Sequence, residues 1–215
     1  MANKKNKVKF GLNNVHWAKI TQWSADGTTP VYADPVRLPG AVSLSMDANG
    51  ENEPFYADNC VYYVMNNNSG YEGDLEIALV TTEFATEILG EILDNNGVLV
   101  ERNDAEPAQF ALMFEFEGDK HKIRHCLYCC SASRPATEGQ TTEDSKEVKT
   151  ESLSLTAAAL PTGLVKSKTC ESTDETTYNN WYKMPYNPDT SVKTTATTTT
   201  TKSSVSYTHL RAHET

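Results

Sequence analysis

Alternation of apolar and polar residues marks most of the chain as strand. Phe110, Leu112, Phe114 and Phe116 alternate with Ala111, Met113, Glu115 and Glu117, a period of two that predicts a β-strand with two distinct faces. The same period recurs in Val42, Leu44 and Met46 against Ser43, Ser45 and Asp47, in Leu75, Ile77 and Leu79 against Asp74, Glu76 and Ala78, and in Leu153 and Leu155 against Ser152, Ser154 and Thr156. Shorter runs at 15–22, 31–33, 98–100, 121–133 and 164–169 complete the strand set. Turn clusters separate them, among them Asp26-Gly27 and Gly118-Asp119, which predict hairpins. One helix stands out. Thr81 or Thr82 caps it, Glu83 sits in its first turn, Phe84, Ile88, Leu89 and Ile92 form an apolar stripe, and Asp94-Asn95-Asn96-Gly97 ends it. The expected fold is mainly β, a β-sandwich or barrel with one flanking α-helix.

Between the strands at 41–47 and 75–79 lies a stretch of different character. Pro54, Phe55, Tyr56, Val61, Tyr62, Tyr63, Val64 and Met65 gather in a region that reads as a long loop, ahead of the turn-forming Asn66-Asn67-Asn68-Ser69-Gly70. Such a loop needs a surface to bury it, in this chain or in a copy of it. Stacking of these aromatics, with Tyr71, on single-stranded nucleic acid requires interleaved basic residues; 60–79 contains none. A protein–protein contact is the better reading, since aromatic residues are enriched in interface cores. Ordinary burial within the chain is the alternative for each of them.

At 215 residues with a formal net charge of −10, the chain can bury one sizeable core and repels duplex DNA. No apolar run approaches the ~20 residues of a membrane-spanning helix, and the basic start (Lys4, Lys5, Lys7, Lys9) has no apolar stretch behind it, so assembly in a cytoplasm is expected. The five cysteines, an odd number without a secretory leader, read as reduced thiols. His121, His125, Cys126, Cys129 and Cys130 invite a zinc reading, but no second Cys-x-x-Cys supplies further ligands. Strand alternation puts Cys126, Tyr128 and Cys130 on one face and Cys129 on the other, so small buried thiols are expected instead. Adjacent strand residues point apart, which excludes a His125–Cys126 nucleophile pair. Asp74, Glu76, Glu115 and Glu117 read as solvated sheet faces rather than acid/base pairs. No P-loop, nucleophile-elbow or zinc-protease motif occurs. The expectation is a non-enzymatic protein without metal or cofactor.

The chain divides into a β-domain over 1–170, an aromatic extension over 171–189 that includes Tyr178-Asn179-Asn180-Trp181-Tyr182, and a Thr/Ser-rich low-complexity run over 190–204. Val205–Thr215 (VSYTHLRAHET) matches one reading frame of a transposon-type sequencing adapter and is excluded from functional reading.

Several phrases, in order, resemble one protein family: LPGAVSLSMD (Leu38–Asp47), PFYADN (Pro54–Asn59), GYEGDLEIAL (Gly70–Leu79), LG followed by LDNNGVLVE (Leu89–Glu101), FALMFEFEGDK (Phe110–Lys120), the Arg124–Pro135 segment and YNNWY (Tyr178–Tyr182). The chain is similar to the phi13-type major tail (tail tube) proteins of long-tailed phages of Gram-positive hosts. The Cys129-Cys130 doublet and the C-terminal run depart from that pattern. The resemblance implies a virion subunit whose hexameric rings stack through a long loop into the conduit for DNA ejection. Its expected partners are further copies of itself, the tape measure, the tail terminator and the distal tail protein, with no specific nucleic-acid binding and no membrane. Pro54, Phe55, Tyr56, Val61, Tyr62, Tyr63 and Tyr71 are the expected subunit or ring-stacking contacts, and Asp74, Glu76, Glu115 and Glu117 the expected lumen-facing carboxylates. A tube subunit of a phage-derived contractile injection or secretion apparatus, or a monomeric β-sandwich binding module, is the alternative.

Overall fold

A computed structural model describes residues 8–50, 52–118, 121–137, 139 and 149–188. The Thr/Ser-rich run, the adapter-like end, most of the basic start and the Asp119 turn position fall outside the described residues. In chain order the strands are β1 (Lys9–Trp23), β2 (Pro30–Tyr32), β3 (Val36–Arg37), β4 (Ala41–Asn49), β5 (Asn52–Ala57), β6 (Cys60–Asn66), β7 (Gly70–Ile77), β8 (Ile92–Leu93), β9 (Leu99–Val100), β10 (Phe110–Gly118), β11 (Ile123–Ala132), β12 (Glu151–Ala158) and β13 (Lys166–Lys168). Nine of them form one antiparallel sheet in the order β2-β1-β10-β11-β12-β7-β4, with β3 beside β1 and β13 beside β11. The sheet curls until β4 approaches β1, and the segment leading into β4 hydrogen-bonds there, the Leu38 N–H donating to the Val15 carbonyl at 2.8 Å. The result is a barrel-like wall, as the strand pattern predicts.

The inward face follows the alternation. Leu44, Leu75 and Leu153 lie in register across β4, β7 and β12, with Met46, Gly73 and Leu155 in the next row. Val15, Trp17, Phe110, Leu112, Phe114 and Leu127 fill the opposite wall. The predicted helix closes one end of this core. Thr81 caps it, its Oγ1 accepting from the Phe84 N–H, and α1 (Thr82–Phe84) continues into a π-helical turn, Ala85–Leu89. Phe84 meets Trp17 and Phe110 edge-on, with centroids 5.8 and 5.6 Å apart. Phe84, Ile88 and Leu89 are fully buried, each worth roughly 1.5–3 kcal/mol of apolar transfer.

A second core covers the outer face of β1, β10 and β11. Ala18, Ala111, Met113, Cys126, Tyr128 and Cys129 pack there against Leu160 and Trp181. The chain after β13 folds back to supply Trp181. Its short helix α2 (Glu175–Asn179) is capped by Asp174, whose carboxylate accepts from the Thr176 and Thr177 N–H groups. The sequence reading missed this helix.

Other expectations are corrected. The helix ends at Gly90, which adopts a left-handed φ of 79°, rather than at Asp94; Ile92 leaves the stripe and pairs in the β8–β9 hairpin, half-exposed. β7 ends at Ile77, and Leu79 is exposed in the turn beyond. A register shift between Ala41 and Ser43 pushes Val42 outward. In β11, Phe110 pairs with Cys130 but Leu112 with Leu127, so a bulge occupies Tyr128–Cys129. It reverses the expected facing: Cys129 joins Cys126 and Tyr128 on the outer core, and Cys130 turns inward.

Candidate assembly surface

The stretch read as a loop is a β-hairpin. β5 and β6 pair from Asn52↔Asn66 to Ala57↔Cys60 around the two-residue turn Asp58-Asn59, whose φ values of 51° and 62° are those of a primed turn. Because β5 follows β4 and β6 precedes β7, the hairpin extends the β4–β7 pair as an arm. Its aromatics touch no core: Phe55 is 55% exposed, Tyr56 64%, Tyr62 71% and Tyr63 62%, with Pro54, Val61, Val64 and Met65 exposed as well. A lone two-stranded hairpin is marginal in water, and this one presents apolar side chains that no other described residues cover. Pro54, Phe55, Tyr56, Val61, Tyr62 and Tyr63 are thus brought together. Tyr71 is not among them. It sits half-buried on the wall against the first core, its ring under the Lys166 ammonium at 4.1 Å.

The outer face of β4, β7 and β12 carries hydroxyls and carboxylates in register. Ser45, Asp74 and Ser154 form one row; Asp47, Glu72 and Thr156 a second; Ser43, Glu76 and Ser152 a third. Ser154 donates to Asp74 at 2.7 Å, Ser43 and Thr150 to Glu76 at 2.8 and 2.6 Å, and Asn49 to Glu72 at 2.7 Å. Bonds from Thr150 and then Ser43 hold the Glu76 carboxyl below its ordinary value. Among the described residues, Asp47, Glu72, Asp74 and Glu76 make no ion pair.

Glu115 and Glu117 lie elsewhere. β11 and β12 separate their strand from β7, roughly 14 Å at the usual ~4.8 Å interstrand spacing. Glu115 is not on a solvated face but 3% exposed. The C-terminal segment covers it: Arg124 Nε donates to it at 3.2 Å, the Tyr182 hydroxyl at 3.2 Å, and Lys122 Nζ stands 3.4 Å away. Arg124 lies between the Tyr178 and Tyr182 rings, 3.8 and 5.0 Å from their centroids, and donates to the Tyr178 carbonyl. Glu117, at the rim, pairs with Lys122 at 3.3 Å. Alternation revealed which face these carboxylates occupy but could not reveal a cover arriving from sixty-odd residues downstream.

The thiols belong to packing. Burial pushes Cys126 up to about 12 and raises Cys129 and Cys130. His125 stacks flat on Phe114 at 5.1 Å, and burial with the nearby Lys166, Lys168 and Lys9 lowers it to about 4. Among the described residues no three His, Cys, Asp or Glu side chains converge as a metal site.

No protein-family model matches the sequence, and no curated protein is significantly similar to it. Among the solved structures that resemble the chain are two from one phage-derived particle. One is the cap that terminates the tube of the anti-feeding prophage, with a TM-score of 0.47, 9% identity, and coverage of 79% of this chain and 99% of that one. The other is a chain of the six-fold symmetrised baseplate of the anti-feeding prophage, with a TM-score of 0.42, 10% identity, and coverage of 80% and 100%.

Proposed function

We propose that this chain is a non-enzymatic structural subunit of a phage-type tail tube, assembling with copies of itself into stacked rings around a channel. The observation that carries the reading is the β5–β6 arm, an ordered hairpin whose aromatic side chains stay in water until another molecule covers them. The family resemblance of the sequence phrases supports the same reading. A repeated contact between different patches of identical subunits builds rings when its rotation closes and filaments when it does not. The hydroxyl and carboxylate face of β4, β7 and β12 supplies the channel wall in this scheme. Among the described residues Asp74 and Glu76 stand on it with no ion-pair partner, so a polyanion moving past meets unpaired negative charge. Glu115 drops out of that wall, and Glu117 is paired at its own rim. The arm reaches neighbouring subunits, and the wall faces the cargo.

Electron microscopy and light scattering of the purified full chain test this. Rings or tubes are expected from the native sequence, and folded monomers, with unchanged circular dichroism, from the Phe55→Ser/Tyr56→Ser variant. Native protein that stays monomeric at high concentration, or a double variant that forms unaltered tubes, refutes the reading.

A further inference from the structure

A cavity of about 220 Å³ opens beside β2, between the Leu160–Leu164 turn and the segment 184–187, with Tyr32 and Tyr128 in its lining. Among the described residues no Lys, Arg, His, Asp or Glu side chain lines it. A void of ~150 Å³ is enough to hold a benzene ring, whereas small-molecule sites begin near ~300 Å³. Its size and chemistry therefore suit one aromatic side chain and not a nucleotide or cofactor.

The same chain displays such side chains. From Pro54 to Met65 the arm carries a single charged residue, Asp58, in a protein of net charge −10. Two copies of so acidic a chain approach with least repulsion where neither contributes charge. At the arm tip Phe55 pairs with Tyr63 but Tyr56 with Val61, so Tyr62 is the extra residue of a bulge. Bulges re-aim a side chain, and Tyr62 is the most exposed aromatic of the arm at 71%. With each aromatic offering 150–250 Å² and more than half of that exposed in Phe55, Tyr56, Tyr62 and Tyr63, the arm presents roughly 500 Å². That is most of the ~800 Å² per partner of a stable contact.

We infer that the arm tip of one copy, led by Tyr62, seats in the cavity of a second copy. This rests on the reading of the arm as a self-assembly contact and names its acceptor. Donor and acceptor patches differ, so each copy offers one of each and the contact propagates instead of ending in a pair.

Disulfide trapping in the full chain tests the pairing. Cys60 lies two residues from Tyr62, and Met184 is 65% exposed at the cavity. In a Cys170→Ser background, which removes the other exposed thiol, the Met184→Cys variant is treated with diamide under assembly conditions. The two thiols are oxidised to a disulfide as diamide is reduced to its hydrazine. A covalent ladder joined through Cys60 and position 184, identified by peptide mass spectrometry, is the expected product. In parallel, Met184→Glu raises the critical concentration for assembly roughly tenfold or more, about 1.4 kcal/mol or more per contact, with unchanged circular dichroism. Tubes that form normally yet show no such cross-link, with Met184→Glu assembling at the native concentration, overturn the cavity as acceptor and leave self-assembly standing. A cross-link found within single chains places the arm in its own cavity and also overturns it. A native chain that never assembles overturns both this and the reading it rests on.

Discussion

Replacing Glu115 with alanine strips the central acceptor from the junction between the wall and the C-terminal segment. The carboxylate is 5% exposed and Arg124 17%, so the pair is largely desolvated. Removing one partner of such a pair typically costs ~3–5 kcal/mol, because the surviving charge stays buried without compensation. The Tyr182 hydroxyl loses its acceptor too, a further ~1 kcal/mol. Against this, Arg124 keeps the Tyr178 carbonyl and two aromatic faces, worth ~0.5–2 kcal/mol together. The balance is a loss of ~3 kcal/mol. Urea unfolding followed by tryptophan fluorescence reads it directly, since Trp181 is buried in the same layer. Removing both charges with Glu115→Leu/Arg124→Met recovers much of the loss, giving a coupling energy of ~2 kcal/mol in the cycle. A Glu115→Ala cost within the ~0–1 kcal/mol of surface pairs, or a coupling near zero, refutes the claim that this pair fastens the segment to the sheet.

Two further outcomes follow from single positions. His125 is lowered from 6.5 to about 4, so the unfolded chain binds the proton more readily. Its contribution is complete above pH 6.5 and lost as pH falls through 4, ~2 kcal/mol after discounting the exposed part of the ring; urea midpoints of the native chain should fall over that window more steeply than those of His125→Phe. A Cβ at Gly73 would stand 1.9 Å from the Ser45 carbonyl oxygen, so Gly73→Ala should separate β4 from β7 and cost ~3 kcal/mol or more, read as a drop in the urea midpoint.

How far the sequence could be read depended on whether the answer was local. β10 and β12 show clean alternation because one face of each meets the core, and Thr81 announces the helix start through its own hydroxyl. The arm was harder. Its apolar residues occupy both faces, so no period of two emerges, although Asp58-Asn59 between two β-prone runs was a usable hairpin signal. Asp174 likewise offered a cap for α2, but the helix is too short to show a stripe. The β11 bulge inverts the facing of Cys129 and Cys130 with no mark in composition. The burial of Glu115 depends on Arg124, Tyr178 and Tyr182 meeting in space, and alternation carries no record of what lies above a face.

The continuity of β4 with β5 and of β6 with β7 has a mechanical consequence. A pull on the arm along its length runs down two strands into the sheet, where β7 is bonded to β4 on one side and β12 on the other. Force in that direction loads the backbone hydrogen bonds together, in shear, instead of peeling them one after another. In the assembly proposed above, a joint made through this hairpin inherits the strength of the whole sheet behind it, and a fibre of such subunits resists stretching without any covalent link between them.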